Sequence, residues 1–360
     1  MIKTFEEVFE DKTKYGTKIK TEQYQKEGKN IIIDQGKEII SGYTDIQEGL
    51  FEDVPAIIFG DHTRIIKYVD RPFFLGADGV KILKSKFKDA NYKYLYYALR
   101  NVKIPNTGYN RHFKWLKEVE IEYPEIEIQT KIVKVLDKIV HIMNVKRQEI
   151  DNLNTLIKSR FTEMFGDPVS NSYDLPEATL SDLGEFGRGV SKHRPRNDIK
   201  LLGGKYPLIQ TGDIANAGLY ITSYSNTYSE LGLRQSKMWD KGTLCITIAA
   251  NIAKTAILEF DACFPDSVVG FIANERTNNI FIHYWFSFFQ AILESQAPES
   301  AQKNINLKIL SELKVIVPEK RKQDEFASFV KLIDKLKATI QKSIDEAQTL
   351  FDSLMQEYFG

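Results

Sequence analysis

Four cationic side chains stand close together in a short segment that also contains glycine and proline, residues 187–198. They are Arg188, Lys192, Arg194 and Arg196. A flexible cationic loop can neutralise phosphates, and an arginine can bind guanine through two hydrogen bonds in the major groove. The segment therefore predicts a contact with nucleic acid, and an ordinary solvated loop is the alternative interpretation.

A second cationic cluster lies near the start of the chain, although Asp11 and Glu22 flank it and favour a solvated surface there. Its members are Lys12, Lys14, Tyr15, Lys18 and Lys20. Polar side chains at three further places suit base edges and turns equally well. These additional candidates for binding nucleic acid are Asn110 and Arg111, Gln210 and Thr211, and Lys303 and Asn304.

No catalytic constellation is recognisable in the sequence. Pro265, Asp266 and Glu275 resemble a nuclease metal site, but Arg276 and Thr277 follow where a lysine is needed, which favours a turn between strands. The histidines show no paired ligand spacing, and no glycine-rich phosphate loop occurs. We therefore expect a protein without catalytic activity, without a metal and without a cofactor.

Length and composition narrow the class of protein. A chain of 360 residues is long enough for two domains with real cores. Its formal net charge of zero neither supports nor excludes nucleic-acid binding, because local patches matter more than the sum. The two cysteines have no disulfide or metal spacing, and the most apolar run, residues 280–293, is too short to span a bilayer. We expect a cytoplasmic protein that does not associate with membranes.

Two long helices, over residues 124–165 and 318–359, are predicted to position these clusters. A shift of 194 residues aligns one region with the other without a gap, and fourteen of the 51 positions from 116 to 166 are then identical. The identities include Pro124 and Gln129, which fall on Pro318 and Gln323. A match of this kind indicates a duplicated architecture rather than a shared helical composition.

Apolar residues recur every seven positions along both helices, which predicts a coiled-coil seam. The predicted seam consists of Leu136, Ile139, Met143, Ile150, Leu153 and Ile157 in the first helix and Val330, Ile333, Ile340, Ile344, Phe351 and Leu354 in the second. Lys146, Arg160 and Lys337 interrupt it, and such polar residues weaken a seam but can fix its register. We predict antiparallel pairing with one globular domain at each end, because the first helix must deliver the chain to the second domain. Two helices buried in one globular core are the alternative.

The predicted fold class is α+β, with two mixed α/β domains separated by the two long helices in a pseudo-twofold repeat. The predicted boundaries are residues 1–123, 124–166, 167–317 and 318–360. Short β-favouring runs predict strands at 30–33, 38–40, 56–59, 64–69 and 79–83, and at 207–210, 219–222, 242–249, 256–260 and 267–273. Helices are predicted at 91–100 and 282–293.

The repeated helices begin with a hydrophobic–Pro–x4–Gln pattern, at Ile121, Pro124 and Gln129 and again at Val315, Pro318 and Gln323. This pattern and the alternation of a variable domain with a repeated helix resemble the specificity subunit of type I restriction–modification systems. The resemblance covers essentially the whole chain. It implies two target-recognition domains, each reading one half of a split sequence in double-stranded DNA, with the antiparallel coil as a ruler.

The resemblance also implies protein partners. Two methyltransferase subunits are expected to dock on the conserved helices, and motor-nuclease subunits are expected to join the complex for restriction. The family itself binds no catalytic cofactor. Two alternatives stay open at this point: the specificity subunit of a related type II enzyme that cuts on both sides of its site, and a coiled-coil adaptor without a role on DNA.

Overall fold

A computed structural model of the protein describes residues 1–76, 78–108, 110–249, 252–296 and 306–360. The chain divides into two compact units. One unit consists of two separate stretches of chain, and the other is a single stretch inserted between them. The first unit comprises Met1–Arg147 and Lys342–Gly360, and the second unit comprises Gln148–Gln341. Within the described ranges, no helix has both the length and the apolar character that a membrane crossing requires.

The first unit contains two sheets, a terminal strand pair, the beginning of one long helix and the end of the other, Lys320–Phe359. Its elements are β1 (Ile2–Thr4), α1 (Phe5–Val8), β2 (Phe9–Asp11), β3 (Asn30–Ile33), β4 (Gly42–Thr44), β5 (Ala56–Gly60), β6 (Ile66–Val69), β7 (Phe73–Leu75), β8 (Val80–Ser85), α2 (Tyr92–Asn101), α3 (Phe113–Leu116), β9 (Glu120–Glu122) and the first part of α4 (Ile126–Phe165). One sheet has the order β2-β8-β5-β6 and the other has the order β4-β3-β7, while β1 pairs with β9.

Local sequence explains why α2 begins and packs where it does. The Asn91 side chain accepts a hydrogen bond from the backbone N–H of Tyr94 at 3.1 Å, which caps the first turn. Tyr94, Leu95, Ala98 and Leu99 then fall on one face and are buried against the sheet. The helix thereby covers the β5 side of the four-stranded sheet and completes the core of the first unit.

The second unit contains the corresponding elements in a longer chain segment, together with the end of α4. They are β10 (Glu177–Thr179), β11 (Gly184–Arg188), β12 (Leu202–Leu208), α5 (Thr211–Asn216), β13 (Tyr220–Ile221), β14 (Asn226–Tyr228), α6 (Glu230–Arg234), β15 (Met238–Trp239), β16 (Leu244–Thr247), β17 (Thr255–Leu258), β18 (Ala262–Cys263), β19 (Val268–Ala273), α7 (Asn279–Gln296), α8 (Leu307–Glu312), β20 (Lys314–Ile316) and the first part of α9 (Lys320–Phe359). Its sheets have the orders β11-β19-β16-β17-β13 and β14-β12-β18-β15, while β10 pairs with β20.

The two units share one plan. In each, the smaller sheet contains a parallel strand pair, β3 with β7 and β12 with β18. In each, an antiparallel strand pair precedes the long helix, and the register of Glu120–Glu122 is repeated 194 residues later by Lys314–Ile316. The duplicated architecture that the sequence predicted is therefore present in the globular parts as well as in the helices.

The predicted strand at residues 38–40 is wrong. This segment is a bend, and β4 at Gly42–Thr44 pairs with β3 instead. The carbonyl of Glu38 accepts a hydrogen bond from the Lys67 ammonium at 2.5 Å rather than from a neighbouring strand. Ile39 is also 61% exposed, so its β-favouring side chain has no core to join.

The long helices pair in an antiparallel direction, as predicted. In the first unit, Leu136 and Met143 near the start of α4 pack with Phe351 near the end of α9. In the second unit, Ile157 near the end of α4 packs with Val330 near the start of α9. The remaining predicted seam residues differ in burial. Ile139, Ile333, Ile340 and Ile344 are buried, whereas Ile150, Leu153 and Leu354 are half-buried.

The Pro–x4–Gln pattern has a structural explanation at both helix starts. The Gln129 amide donates to the carbonyl of Pro124 at 2.8 Å, and the Gln323 amide donates to the carbonyl of Pro318 at the same distance. Both glutamines are buried. Each one therefore satisfies a carbonyl at the point where the chain leaves its strand and enters the long helix.

Candidate nucleic-acid interface

The first cationic cluster lies on the loop between β2 and β3, and its side chains are accessible. Tyr15 is 58% exposed, and the ammonium groups of Lys12 and Lys14 lie 5.5 and 4.8 Å from the centre of its ring. Lys12 also forms an ion pair with Glu10 at 2.9 Å, which partly neutralises its charge. Lys18 and Lys20 follow on the same loop and are exposed. The loop presents an aromatic ring among lysines to solvent.

The loop before α3 is held by a buried histidine. Nδ1 of His112 lies 2.9 Å from the carbonyl oxygen of Asp61, and the His112 backbone N–H donates to the same oxygen. The His62 ring contacts the carbonyl of Asn110 at 3.2 Å. These contacts leave the side chains of Asn110 and Arg111 exposed. The β5–β6 turn therefore positions both predicted site residues of this loop.

A carboxylate connects the two loops of the first unit. Asp78 follows β7 and pairs with Lys18 at 2.5 Å. The hydrogen bond and the charge of Lys18 hold the pKa of Asp78 below its ordinary value, and the charge of Arg111 acts in the same direction. The structure thus brings Lys18 and Arg111, which are far apart in the sequence, into one electrostatic neighbourhood.

The arginine-rich segment of the second unit occupies the equivalent place, between β11 and β12. Its conformation is held internally, because Arg194 donates to the carbonyls of Ser191 and His193 at 2.6 and 2.8 Å. Arg194 and Arg196 also pair with Asp266, at 3.6 and 2.5 Å. Arg188 ends β11, and both it and Lys192 are exposed.

Polar residues that follow β12 lie beside this loop. Gln210 and Thr211 line a cavity of about 350 Å³ together with Arg196 and Ser191. Sequence separation gave no reason to connect Gln210 with Arg196, and the parallel pairing of β12 with β18 is what brings them together. The other two predicted residues, Lys303 and Asn304, lie outside the described residues.

Sequence reasoning missed the role of Asp78 and Asp266 as partners of the cationic loops. Both follow the strand that runs parallel to the first strand after the cationic loop, β7 in the first unit and β18 in the second. In the described part of the chain, no group of three or more His, Cys, Asp or Glu side chains could hold a metal. In each unit, a carboxylate pairs with cations of the exposed loop, and an exposed cationic loop is suited to binding a polyanion.

The family model for the type I restriction modification DNA specificity domain matches residues 1–155 and 174–348 of this chain. The two matches contain the two copies of the repeated plan. They therefore cover both cationic loops and most of both long helices.

Curated and solved proteins resemble this chain over most of its length. One is named "Putative type I restriction enzyme MjaX specificity subunit", from Methanocaldococcus jannaschii, and is 23% identical over 298 residues, 76% of this chain and 68% of that protein. The crystal structure of the type I restriction-modification system S subunit from M. genitalium has a TM-score of 0.59 at 18% identity, covering 100% of this chain and 96% of that chain. A structure described as the basis of complex assembly and conformational transition of the type I R-M system has a TM-score of 0.57 at 14% identity, covering 100% and 97%. The two structures share the fold of this chain.

Proposed function

We propose that the two units each read one half of a split target in double-stranded DNA, because the chain belongs to the type I restriction–modification DNA specificity family. The chain is a specificity subunit and does not itself carry out methylation or cleavage. Neither the type II alternative nor the adaptor without a role on DNA is favoured by the family match. We place its activity in the cytoplasm, where both DNA and the reducing conditions expected for its two free, buried cysteines are found.

We assign target recognition to residues 1–123 and 167–317, and the connecting role to the helical segments 124–166 and 318–360. The repeated placement of a cationic loop after the first strand of the larger sheet supports this assignment. The loops of the first unit would contact DNA through Lys12, Lys14, Tyr15, Lys18, Lys20, Asn110 and Arg111. The second unit would use Arg188, Lys192, Arg194, Arg196, Gln210 and Thr211, together with Lys303 and Asn304. Phosphate contacts would provide affinity, and a few of these side chains would provide sequence preference.

The observation that supports DNA recognition most directly is the arginine-rich loop of the second unit. We expect that replacing Arg188, Arg194 and Arg196 together with alanine abolishes methylation at the cognate site, because phosphate and guanine contacts are lost. Arg321→Ala is a matched control, since Arg321 is an exposed arginine of the same unit that pairs with Glu325 along α9 at 2.6 Å. Methylation by the purified complex measures the effect, and gel filtration shows whether the complex still assembles. Normal methylation by the triple variant would contradict the assignment.

A second surface supports docking of methyltransferase subunits on the long helices. Apolar residues outside the seam stay exposed on both helices, and they recur at the 194-residue spacing. Ile142 corresponds to Leu336, and Leu156 corresponds to Leu350, with exposed fractions of 38%, 47%, 46% and 52%. Each unit therefore carries one equivalent pair, Ile142 with Leu350 and Leu336 with Leu156. Two equivalent apolar surfaces fit two copies of one partner.

We expect Ile142→Glu to reduce the number of bound methyltransferase subunits from two to one, and the double variant with Leu336→Glu to abolish binding. The reason is that removing water from a charge in an apolar interface costs free energy. The bound number is measured by native mass spectrometry of the reconstituted complex. Ile199→Glu is the control, since Ile199 is 84% exposed and belongs to a short 3-10 helix of the second unit rather than to either long helix. Two bound subunits in the double variant would place the docking surface elsewhere.

A further inference from the structure

The second unit contains a small cavity that three lysines line. Its volume is about 230 Å³, and it lies between α7, the start of β17, the chain after β12 and the long helices. Lys158, Lys254 and Lys337 all line it. Its polar lining is completed by Asn154, Thr255, His283, Tyr284, Ser287 and Gln290.

No carboxylate balances these lysines among the described lining residues. Lys254 donates to the amide oxygen of Gln290 at 3.2 Å, which is a neutral partner. Across the described ranges of the chain, none of the salt bridges includes Lys158, Lys254 or Lys337. Lys158 is exposed, whereas Lys254 and Lys337 are half-buried. Like charges that line one cavity repel one another, and an anion in that cavity would relieve the repulsion.

His283 does not add to this charge at neutral pH. It is buried, and its Nδ1 lies 2.9 Å from the hydroxyl of Thr255. Burial lowers the pKa of His283 to about 4, and the charge of Lys337 acts in the same direction. The cavity therefore combines three ammonium groups with neutral polar side chains.

In the first unit, one of the cations that line the corresponding cavity has a carboxylate partner within the protein. A cavity of about 640 Å³ lies between α2, β6, the chain after β3 and α4, and its described lining includes five cations, Lys37, Arg64, Lys67, Lys93 and Arg100, and one carboxylate, Asp137. There Asp137 of α4 pairs with Lys93 at 2.5 Å and accepts a hydrogen bond from Tyr97 at 2.8 Å. The position of α9 that corresponds to Asp137 at the 194-residue spacing is Lys331. The second unit thus lacks the internal carboxylate at the equivalent point.

Lys337 gives a further reason to assign a ligand to this cavity. It stands where Met143 stands in α4, at a seam position that an apolar residue would fill with better packing. Lys337 is half-buried and directs charge towards His283. A lysine that weakens a coiled-coil seam is explained if its ammonium group serves the cavity.

We propose that this cavity of the second unit is a binding site for a phosphate group, held by Lys158, Lys254 and Lys337. The site lies outside the DNA-reading loops, and it goes beyond the proposed recognition of a target sequence. The phosphate group can come from free inorganic phosphate or from the DNA backbone, and these two sources are separated by experiment.

The first experiment titrates sodium phosphate into the full-length protein by calorimetry, at an ionic strength held constant with sodium chloride. We expect saturable binding that the variant carrying Lys254→Met and Lys337→Met weakens at least about tenfold, because two of the three charges are lost. Methionine at 337 reproduces the residue of α4 at that position, so the seam is kept. Lys342→Met, an exposed lysine of α9, should bind phosphate as the unmodified protein does. Absent binding, or binding that the double variant retains in full, would overturn the site.

The second experiment identifies the source of the phosphate group. Affinity for duplex DNA is measured over a range of salt concentrations for the unmodified protein and the double variant in the assembled complex. A salt dependence that is shallower by about one unit per lost contact assigns the site to the DNA backbone. An unchanged salt dependence, with phosphate binding lost in the first experiment, assigns it to a free anion. Failure of the DNA-reading loops alone would leave the phosphate titration unaffected.

Discussion

Asp266 is expected to limit the binding of DNA that lacks the target sequence. Its carboxylate pairs with both Arg194 and Arg196 and so offsets one unit of positive charge on the loop. Replacement by asparagine keeps the size of the side chain and releases that charge. An exposed ion pair stabilises by about 0.2–1 kcal/mol, so the affinity for non-cognate duplex DNA should rise by a factor of about 1.4 to 5. One more neutralised phosphate should also steepen the dependence of log affinity on log salt by about 0.9.

The assay is fluorescence anisotropy with a labelled duplex, performed on the assembled complex at several salt concentrations. Asp324→Asn is a matched control, because Asp324 pairs with Lys320 on α9 at 2.6 Å and, among the residues that the structure describes, has no ion pair with the arginine-rich loop. Asp78→Asn should repeat the effect in the first unit through Lys18. A purely structural role for Asp266 predicts lower thermal stability with unchanged salt dependence. That result, or weaker binding of non-cognate DNA, would refute the reasoning.

Two further predictions concern stability. Gln323→Ala should destabilise its helix start by about 2 kcal/mol more than Gln129→Ala, because Gln323 also bonds to Arg276 and Thr277, at about 1 kcal/mol for each net hydrogen bond. Hydrogen exchange in the strands before the two helices measures the loss of stability in each variant. Equal losses in the two variants would contradict the explanation from the number of hydrogen bonds. His283 has a folded pKa of about 4, below the ordinary 6.5, so its contribution to stability is present above pH 6.5 and is lost as the pH falls towards 4. In that window the free energy of unfolding changes by at most about 1.4 kcal/mol per pH unit, which corresponds to one proton. Urea unfolding at several pH values measures this dependence, and His283→Gln should make it flatter. A variant that keeps the full dependence on pH would exclude His283 as the cause.

The sequence was most informative where one local period continued for a long distance. A seven-residue repeat extends along most of both helices, so the seam and the helix ends were predicted with little error at Ile126–Phe165 and Lys320–Phe359. Short strands were harder to predict because a strand of two or three residues has no period. No sequence pattern indicated β7 or β18, because both strands are wholly buried and so show no alternation of polar and apolar side chains.

The candidate interface was only half predictable for a related reason. Cationic residues that are close in the chain were recognised as clusters, and the structure indeed keeps them on one loop. The carboxylates Asp78 and Asp266 are 60 and 70 residues away from Lys18 and Arg196. Only the parallel strand pairs bring them together, and that pairing depends on the strands that the sequence did not reveal. Pairing across the sheet, rather than local composition, decides which charges share a neighbourhood.

The division of the chain has a consequence for how it acquires its structure during synthesis. The first unit needs the nineteen residues of Lys342–Gly360, which are synthesised after all other residues of the two units. Phe351 and Phe359 complete the apolar clusters around Leu136 and Tyr94, so these clusters stay open until those nineteen residues have left the ribosome. The second unit, which is continuous from Gln148 to Gln341, can close earlier. A stop codon near position 342 should therefore damage the first unit more than the second unit. The first unit, most of which is synthesised earlier, should be the last to mature.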